Sequence, residues 1–423
     1  MKKILVINGS PKGKYSITLH TALYLQKKFK DCSFEFLHAS QKIRSLEKDL
    51  SPALKAVDEA DLVIFAYPVY TFLVPAQLHR FVELLHASGR DFNGKYATQI
   101  TTSKHFYDTT AHEFMRENLT DLGFNVLEGL SADMEDLPTE KGRTEAEKFF
   151  SYVLWQMDGA SSETKVPEGR IALVADLEED DEALKEKMDL FIASVGCPVD
   201  VINIRNFPFK GSCLGCFNCA GDGECIYQDG FTDLLRNNIH KHDAIVYAFR
   251  IVNHSMGSRF KMYDDRQFCN GHRTVTMGTP FAYVIEGDID AESNLKKVLE
   301  ARAQVGGNFL AGLACTPEQI RKMAGVLRYA MRERLVLPQN FLGVGGMKIF
   351  RDLIYQMRGM MRADHKFFKS HGQYDFPQKQ WPKSLAMYLV GAMMANPKIH
   401  SKMGNKMNEG MLMPYKKVLD EME

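Results

Sequence analysis

The chain alternates short runs of apolar residues with longer stretches whose apolar positions recur every three or four residues. Ile4–Ile7, Phe34–Leu37, Leu62–Ala66, Ala97–Thr101 and Asn125–Leu127 are runs of the first kind and predict buried strands. Leu19–Phe29 and Ala76–Leu85 have helical spacing. Strands that alternate with helices imply βαβ units, a parallel sheet and right-handed crossovers.

The same unit is present twice. Lys3–Ile7 resembles Arg170–Val174 at an offset of 167, and Asp61–Ala66 resembles Asp243–Ala248 at 182. Leu122–Leu130 resembles Val305–Leu313 at 183. The offset grows by 15 between the first two pairs, so the second copy carries an insertion there. Five strands in about 130 residues fit a doubly wound, flavodoxin-like sheet of order 2-1-3-4-5. The expected architecture is α/β, with two tandem flavodoxin-like domains at residues 1–160 and 168–334. A helical extension follows at 335–423. A linker rich in small and polar residues, Gly159–Gly169, separates the copies.

Composition narrows the function. The chain of 423 residues is 45% hydrophobic and 25% charged, as in ordinary globular proteins, which excludes disordered and collagen-like readings. Lys+Arg and Asp+Glu both number 53, so no nucleic-acid partner is expected. The N-terminus has only four consecutive apolar residues, short of the ~7–15 of a secretory signal. The stretch near Leu385–Ala395 is shorter than the ~20 residues of a spanning helix. No membrane span and a cytoplasmic location are therefore expected. The neutral total conceals an asymmetry. From Glu318 onward there are 18 Lys+Arg against 9 Asp+Glu, and before it 35 against 44.

The first strand runs into Asn8-Gly-Ser-Pro-Lys-Gly-Lys-Tyr-Ser-Ile-Thr18, ahead of a helix. Such a loop offers free backbone N–H groups and the positive end of the helix dipole, and Ser10, Lys12, Ser16 and Thr18 add donors. That suits a phosphate monoester, although a Ser/Gly turn before a helix also serves as a simple N-cap. The spacing matches neither the Walker A loop nor G-x-G-x-x-G. Further on stands Ala66-Tyr-Pro-Val-Tyr-Thr-Phe-Leu-Val-Pro-Ala-Gln-Leu-His-Arg-Phe81.

In these segments the chain resembles the NAD(P)H-dependent FMN reductase and iron–sulfur flavoprotein family. The resemblance covers the first copy from end to end and the second to about Met331. It implies that Ser10, Lys12, Ser16 and Thr18 hold the FMN phosphate. It also implies that Pro68, Val69, Tyr70, Thr71 and Phe72 flank the isoalloxazine, with Thr102 and Ser103 completing the pocket. NAD(P)H or ferredoxin as reductant is implied by the family alone, because no NAD(P)H site is visible.

The second copy lacks the phosphate loop. Its first strand is followed by Ala175-Asp-Leu-Glu-Glu-Asp-Asp-Glu182, six carboxylates that would repel a phosphate. A degenerate flavin site is expected there. The insertion instead holds Cys213, Cys216, Cys219 and Cys225, spaced C-x2-C-x2-C-x5-C. A clustered set of thiols in a reducing compartment suggests a metal or redox site. The spacing is similar to the cysteine motif of the iron–sulfur flavoproteins, which implies one [4Fe–4S] cluster beside FMN. A zinc site and a bare cysteine loop are the alternatives.

Members of the family place FMN at a homodimer interface, which implies an intrachain pseudo-dimer here, alone or within a homo-oligomer. The function expected is an FMN oxidoreductase that passes electrons to a small molecule or a ferredoxin-like protein. The alternative is a non-enzymatic carrier that docks partners through the Met-rich, basic extension. That extension reads as helices packed on the second domain, as a lid or docking surface, or as a membrane-surface helix. His240, His242, His365 and His371 read as surface residues.

Overall fold

The computed structural model describes residues 1–159, 168–395 and 406–422. Residues 160–167, most of the expected linker, lie outside the described residues, as does Met403 of the Met-rich extension. The chain forms two compact units. One comprises Met1–Met157 with Asp375–Glu423, and the other Asp158–Tyr374.

In the first unit the strands are β1 (Lys2–Asn8), β2 (Cys32–Leu37), β3 (Leu62–Pro68), β4 (Tyr96–Ser103), β5 (Asn125–Val126) and β6 (Leu130–Asp133). They pair in parallel in the order β2-β1-β3-β4-β5, with β6 also on β4. Ile4–Ile7 of β1 and Leu62–Tyr67 of β3 are buried, as expected of strands covered on both faces. The helices Ile17–Lys28 (α1), Ala39–Leu46 (α2), Ser51–Glu59 (α3), Ala76–Ala87 (α4), Asp108–Asp121 (α5) and Glu140–Met157 (α6) connect and cover the sheet.

β6 was not anticipated from the apolar pattern. It continues β5 beyond a one-residue bulge, since Ala97 pairs with Val126 but Ile100 with Leu130. Gly129 sits at the interruption. A Cβ there would lie 2.6 Å from Gln99 and 2.9 Å from the His112 ring, so only glycine fits.

The second unit has β7 (Ile171–Ala175), β8 (Val199–Asn203), β9 (Ala244–Arg250), β10 (Phe281–Glu286) and β11 (Leu310–Ala314), in the order β11-β10-β9-β7-β8. This is the same 2-1-3-4-5 path. The hydrogen bonds repeat as well. Asp61 N–H donates to Lys3 O at 2.9 Å, and Asp243 N–H to Arg170 O at 2.9 Å. Gly9 N–H donates to Ala66 O at 2.8 Å, and Asp176 N–H to Ala248 O at 2.9 Å. β10 and β11 slip register next to Gly312, which matches Gly129 at the offset of 183.

The residues after 335 divide between the units. The helices Phe341–Gln356 and Arg362–Ser370 belong to the second unit, whereas Trp381–Met394 and Lys406–Asp420 belong to the first. Leu412, Tyr415, Val418 and Leu419 are buried in the first unit, where Lys27 Nζ donates to Leu419 O at 2.9 Å. Tyr415 also donates to Met134 O. This last helix therefore packs on α1.

Candidate functional site

The C-terminal ends of β1, β3 and β4 open onto a cavity of about 350 Å³ in the first unit. This is the switch point of the sheet, where ligands bind in open α/β folds. All eleven residues singled out in the first copy line it: Ser10, Lys12, Ser16, Thr18, Pro68, Val69, Tyr70, Thr71, Phe72, Thr102 and Ser103.

The loop after β1 is built around Asn8. Its Oδ1 accepts from Ser10 N–H at 3.1 Å, and its Nδ2 donates to Gly13 O at 3.2 Å. His38 Nδ1 shares a further hydrogen bond with Nδ2 at 3.0 Å. Ser16 caps α1, accepting from Leu19 N–H at 3.3 Å. Thr18 and Thr102 share a buried hydrogen bond of 2.6 Å, which ties this loop to the end of β4. The result is a set of buried hydroxyls beside an exposed lysine at a helix N-terminus.

The opposite wall is a strained turn. Tyr70 and Leu73 exchange backbone hydrogen bonds of 2.8 and 3.1 Å, with Thr71 at φ 46° and Phe72 at φ 73° between them. Two positive φ angles in a two-residue turn favour Asn-Gly, and cost about 1–3 kcal/mol each for residues such as these. The second unit has the same turn 182 residues later. Val252 and Ser255 exchange the bonds, with Asn253 at φ 48° and His254 at φ 64°. There Asn tolerates the conformation. In the first unit the turn retains Thr71 and Phe72, which present their side chains to the cavity. Phe72 also meets Phe106 at 5.5 Å and Tyr107 at 5.0 Å, both exposed.

Behind this wall lies a buried polar network. Asp108 accepts from Ser131 Oγ at 2.5 Å and pairs with His105 Nδ1 at 3.0 Å. His105 N–H donates to the Ser103 hydroxyl at 2.8 Å. His112 bonds Thr101 through Nε2 at 2.8 Å, and burial pushes its pKa down to about 4. The fold thus favours neutral His112. Its stabilisation is complete above the unfolded pKa near 6.5 and is lost as pH falls toward 4. At pH 5 the loss is about 2 kcal/mol. Urea unfolding at pH 7 and pH 5 measures it, and His112→Gln should remove most of the difference. His240 of the second unit, half-buried and not at the surface as its sequence context suggested, is likewise pushed to about 4.

Two further lining residues come from the Met-rich extension, one of whose readings above is a lid. Asn408 and Met411, on the helix Lys406–Asp420, also face the cavity.

The matching edge of the second unit is filled by ion pairs. Asp176 and Glu178 bind Arg205 at 2.6 and 2.7 Å, and Asp181 binds Arg250 at 2.5 Å while capping the next helix. No hydroxyl cradle remains.

The four cysteines differ in their surroundings. Cys216 is exposed, while Cys213, Cys219 and Cys225 are half-buried. The Cys219 thiol donates to Phe268 O at 2.8 Å, and Cys225 packs against the core of its unit. Burial raises the pKa of Cys219, and the nearby Asp364, Cys225 and Cys213 add to the rise. Among the described residues no group of three or more His, Cys, Asp or Glu side chains stands where it could hold a metal. As folded, the loop does not fit the expected cluster. Its ends are clamped instead, because Arg266 binds Gly211 O at 2.8 Å and both Asp229 oxygens at 2.8 and 2.9 Å.

The sheet order and the cavity at its switch point define the class as flavodoxin-like. Residues 2–134 match the family described as NADPH-dependent FMN reductase. Over 205 residues the chain is 23% identical to the iron-sulfur flavoprotein of Archaeoglobus fulgidus, covering 45% of this chain and 90% of that protein. It is 43% identical over 56 residues to human ribosyldihydronicotinamide dehydrogenase (quinone), 13% of this chain and 24% of that one. Oxidised flavodoxin 1 from Bacillus cereus aligns over 36% of this chain and 95% of its own, with 17% identity and a TM-score of 0.28. No described helix is long and apolar enough to cross a membrane.

Proposed function

We propose that the first unit binds FMN and catalyses electron transfer from NAD(P)H to a small-molecule acceptor. The observation that carries this reading is the convergence of the hydroxyl cradle, the strained turn and the end of β4 on one cavity. Ser10, Lys12, Ser16 and Thr18 hold the phosphate, with charge supplied by Lys12 and the start of α1. Pro68–Phe72 and Thr102–Ser103 flank the ring system, and Asn408 and Met411 close its far side. When bound, FMN accepts a hydride and gives up electrons singly or in pairs. The net reaction takes a hydride from NAD(P)H and a proton from solvent and leaves the acceptor reduced by two electrons.

The expected result on anaerobically purified protein is one FMN per chain and steady NAD(P)H oxidation with an added quinone. Absence of FMN overturns the reading. FMN that only a protein partner reduces assigns the chain to the carriers. Iron counted in the same sample tests the cysteine loop. Less than one iron per chain follows from the loop as folded, in which no metal-holding group stands among the described residues, whereas close to four would mean that the loop rearranges around a cluster.

A further inference from the structure

The helix Trp381–Met394, WPKSLAMYLVGAMM, has Lys383 and Ser384 in its first turn and only apolar residues from Leu385 on, yet no described side chain of it is buried. Trp381, Leu385, Met387, Tyr388, Leu389 and Met393 are between 46% and 79% exposed. An apolar helix of this length belongs in a core, across a membrane or at a membrane surface. Exposure excludes the core of this unit. At 1.5 Å per residue its 14 residues reach about 21 Å, short of the ~30 Å hydrocarbon layer.

Charge selects among the occupants that remain. From Phe376 to Asn408 the sequence holds five lysines, at 379, 383, 398, 402 and 406, and no Asp or Glu. A partner groove takes one apolar face of a helix and leaves a polar face to solvent. From Leu385 on, this helix has no polar position and so no such polar face. Lipid can cover all sides of it, its Trp and Tyr suit the interfacial layer, and flanking lysines are attracted to anionic headgroups.

We infer that Trp381–Met394 is a surface anchor that inserts into anionic bilayers without spanning them. The anchor starts beside the cavity. Lys383 pairs with Glu135, whose neighbour Met134 lines it, and Lys104, also in the lining, lies 3.6 Å from Glu135. A bilayer at the helix is therefore close to the opening of the site, where an acceptor dissolved in lipid would enter.

Co-sedimentation of the full chain with vesicles tests the inference. The chain should pellet with equal phosphatidylcholine and phosphatidylglycerol, and about tenfold less with phosphatidylcholine alone. The double substitution Leu385→Asp, Leu389→Asp should weaken binding by a hundredfold or more. Circular dichroism should stay unchanged, because both side chains are already exposed. No pelleting, or pelleting that the substitutions leave unchanged, overturns the anchor. Equal binding to neutral vesicles overturns the anionic assignment. A dimer in light scattering that the substitutions abolish, without vesicle binding, assigns the helix to a second copy and also overturns it.

Discussion

Ser16→Asp should cut FMN affinity by a hundredfold or more while leaving the fold intact. Ser16 both lines the cavity and caps α1 by accepting from Leu19 N–H. Aspartate is an equally good N-cap, so the helix keeps its start. Its charge, however, enters the cradle proposed for a phosphate. Two like charges about 4 Å apart at an effective dielectric near 20 repel by about 4 kcal/mol. Flavin fluorescence titration measures the effect. Ser16→Ala is the control, since it removes the cap but adds no charge, and should cost only about 1 kcal/mol of stability. Unchanged FMN affinity in the aspartate variant would place the phosphate elsewhere. The second unit shows the natural counterpart, with Asp176 standing where the first unit has Gly9.

Asp229→Ala should destabilise the second unit by about 3–5 kcal/mol. The Arg266 and Asp229 side chains are only 1% and 2% exposed, so removing the carboxylate strands a buried guanidinium. Against a total stability of about 5–15 kcal/mol, that is a large share. Arg266 also lies over the rings of Phe209, Tyr227 and Phe231, at 5.6, 4.6 and 5.1 Å. The pair holds Gly211 and Asp229, at the two ends of the cysteine loop, so the same variant should raise the reactivity of Cys213 and Cys225 toward a thiol reagent. Urea unfolding reads the stability. Adding Arg266→Met should recover part of the loss, because it removes the unpaired charge. A loss under about 1 kcal/mol would show that the pair does not support the loop.

Legibility in the sequence followed the range of the interactions. The parallel strands were readable because both of their faces are buried, which leaves uninterrupted apolar runs such as Leu62–Ala66. The cradle was readable because strand, loop and helix are consecutive, so Ser10 and Thr18 are brought together by local geometry. The repeat exposed both sheets at once. What escaped depends on distant partners. β6 is a short, half-polar run, LSAD, whose pairing is decided by β4. Asn408 and Met411 reach the cavity from more than 270 residues beyond Met134, with which they share its lining. Four closely spaced cysteines describe a loop that could wrap a cluster, but spacing does not report where each sulfur points. The hydrogen bond of Cys219 and the packing of Cys225 decide that.

The placement of Asn408 and Met411 has a consequence for synthesis. The first unit is made of Met1–Met157 and Asp375–Glu423, so the whole second unit is an insertion within it. On the ribosome, the cradle and the strained turn emerge before the second unit, while the wall carrying Met411 arrives 254 residues after Met157. At about 5–20 residues per second, that is a delay of roughly 13–50 s. Throughout it the nascent first unit has an open-sided cavity and the face of α1 that later receives Leu412 and Tyr415 is uncovered. A cofactor meeting the nascent chain would find a half-built site, and loading would become complete only once the helix carrying Met411 has been made.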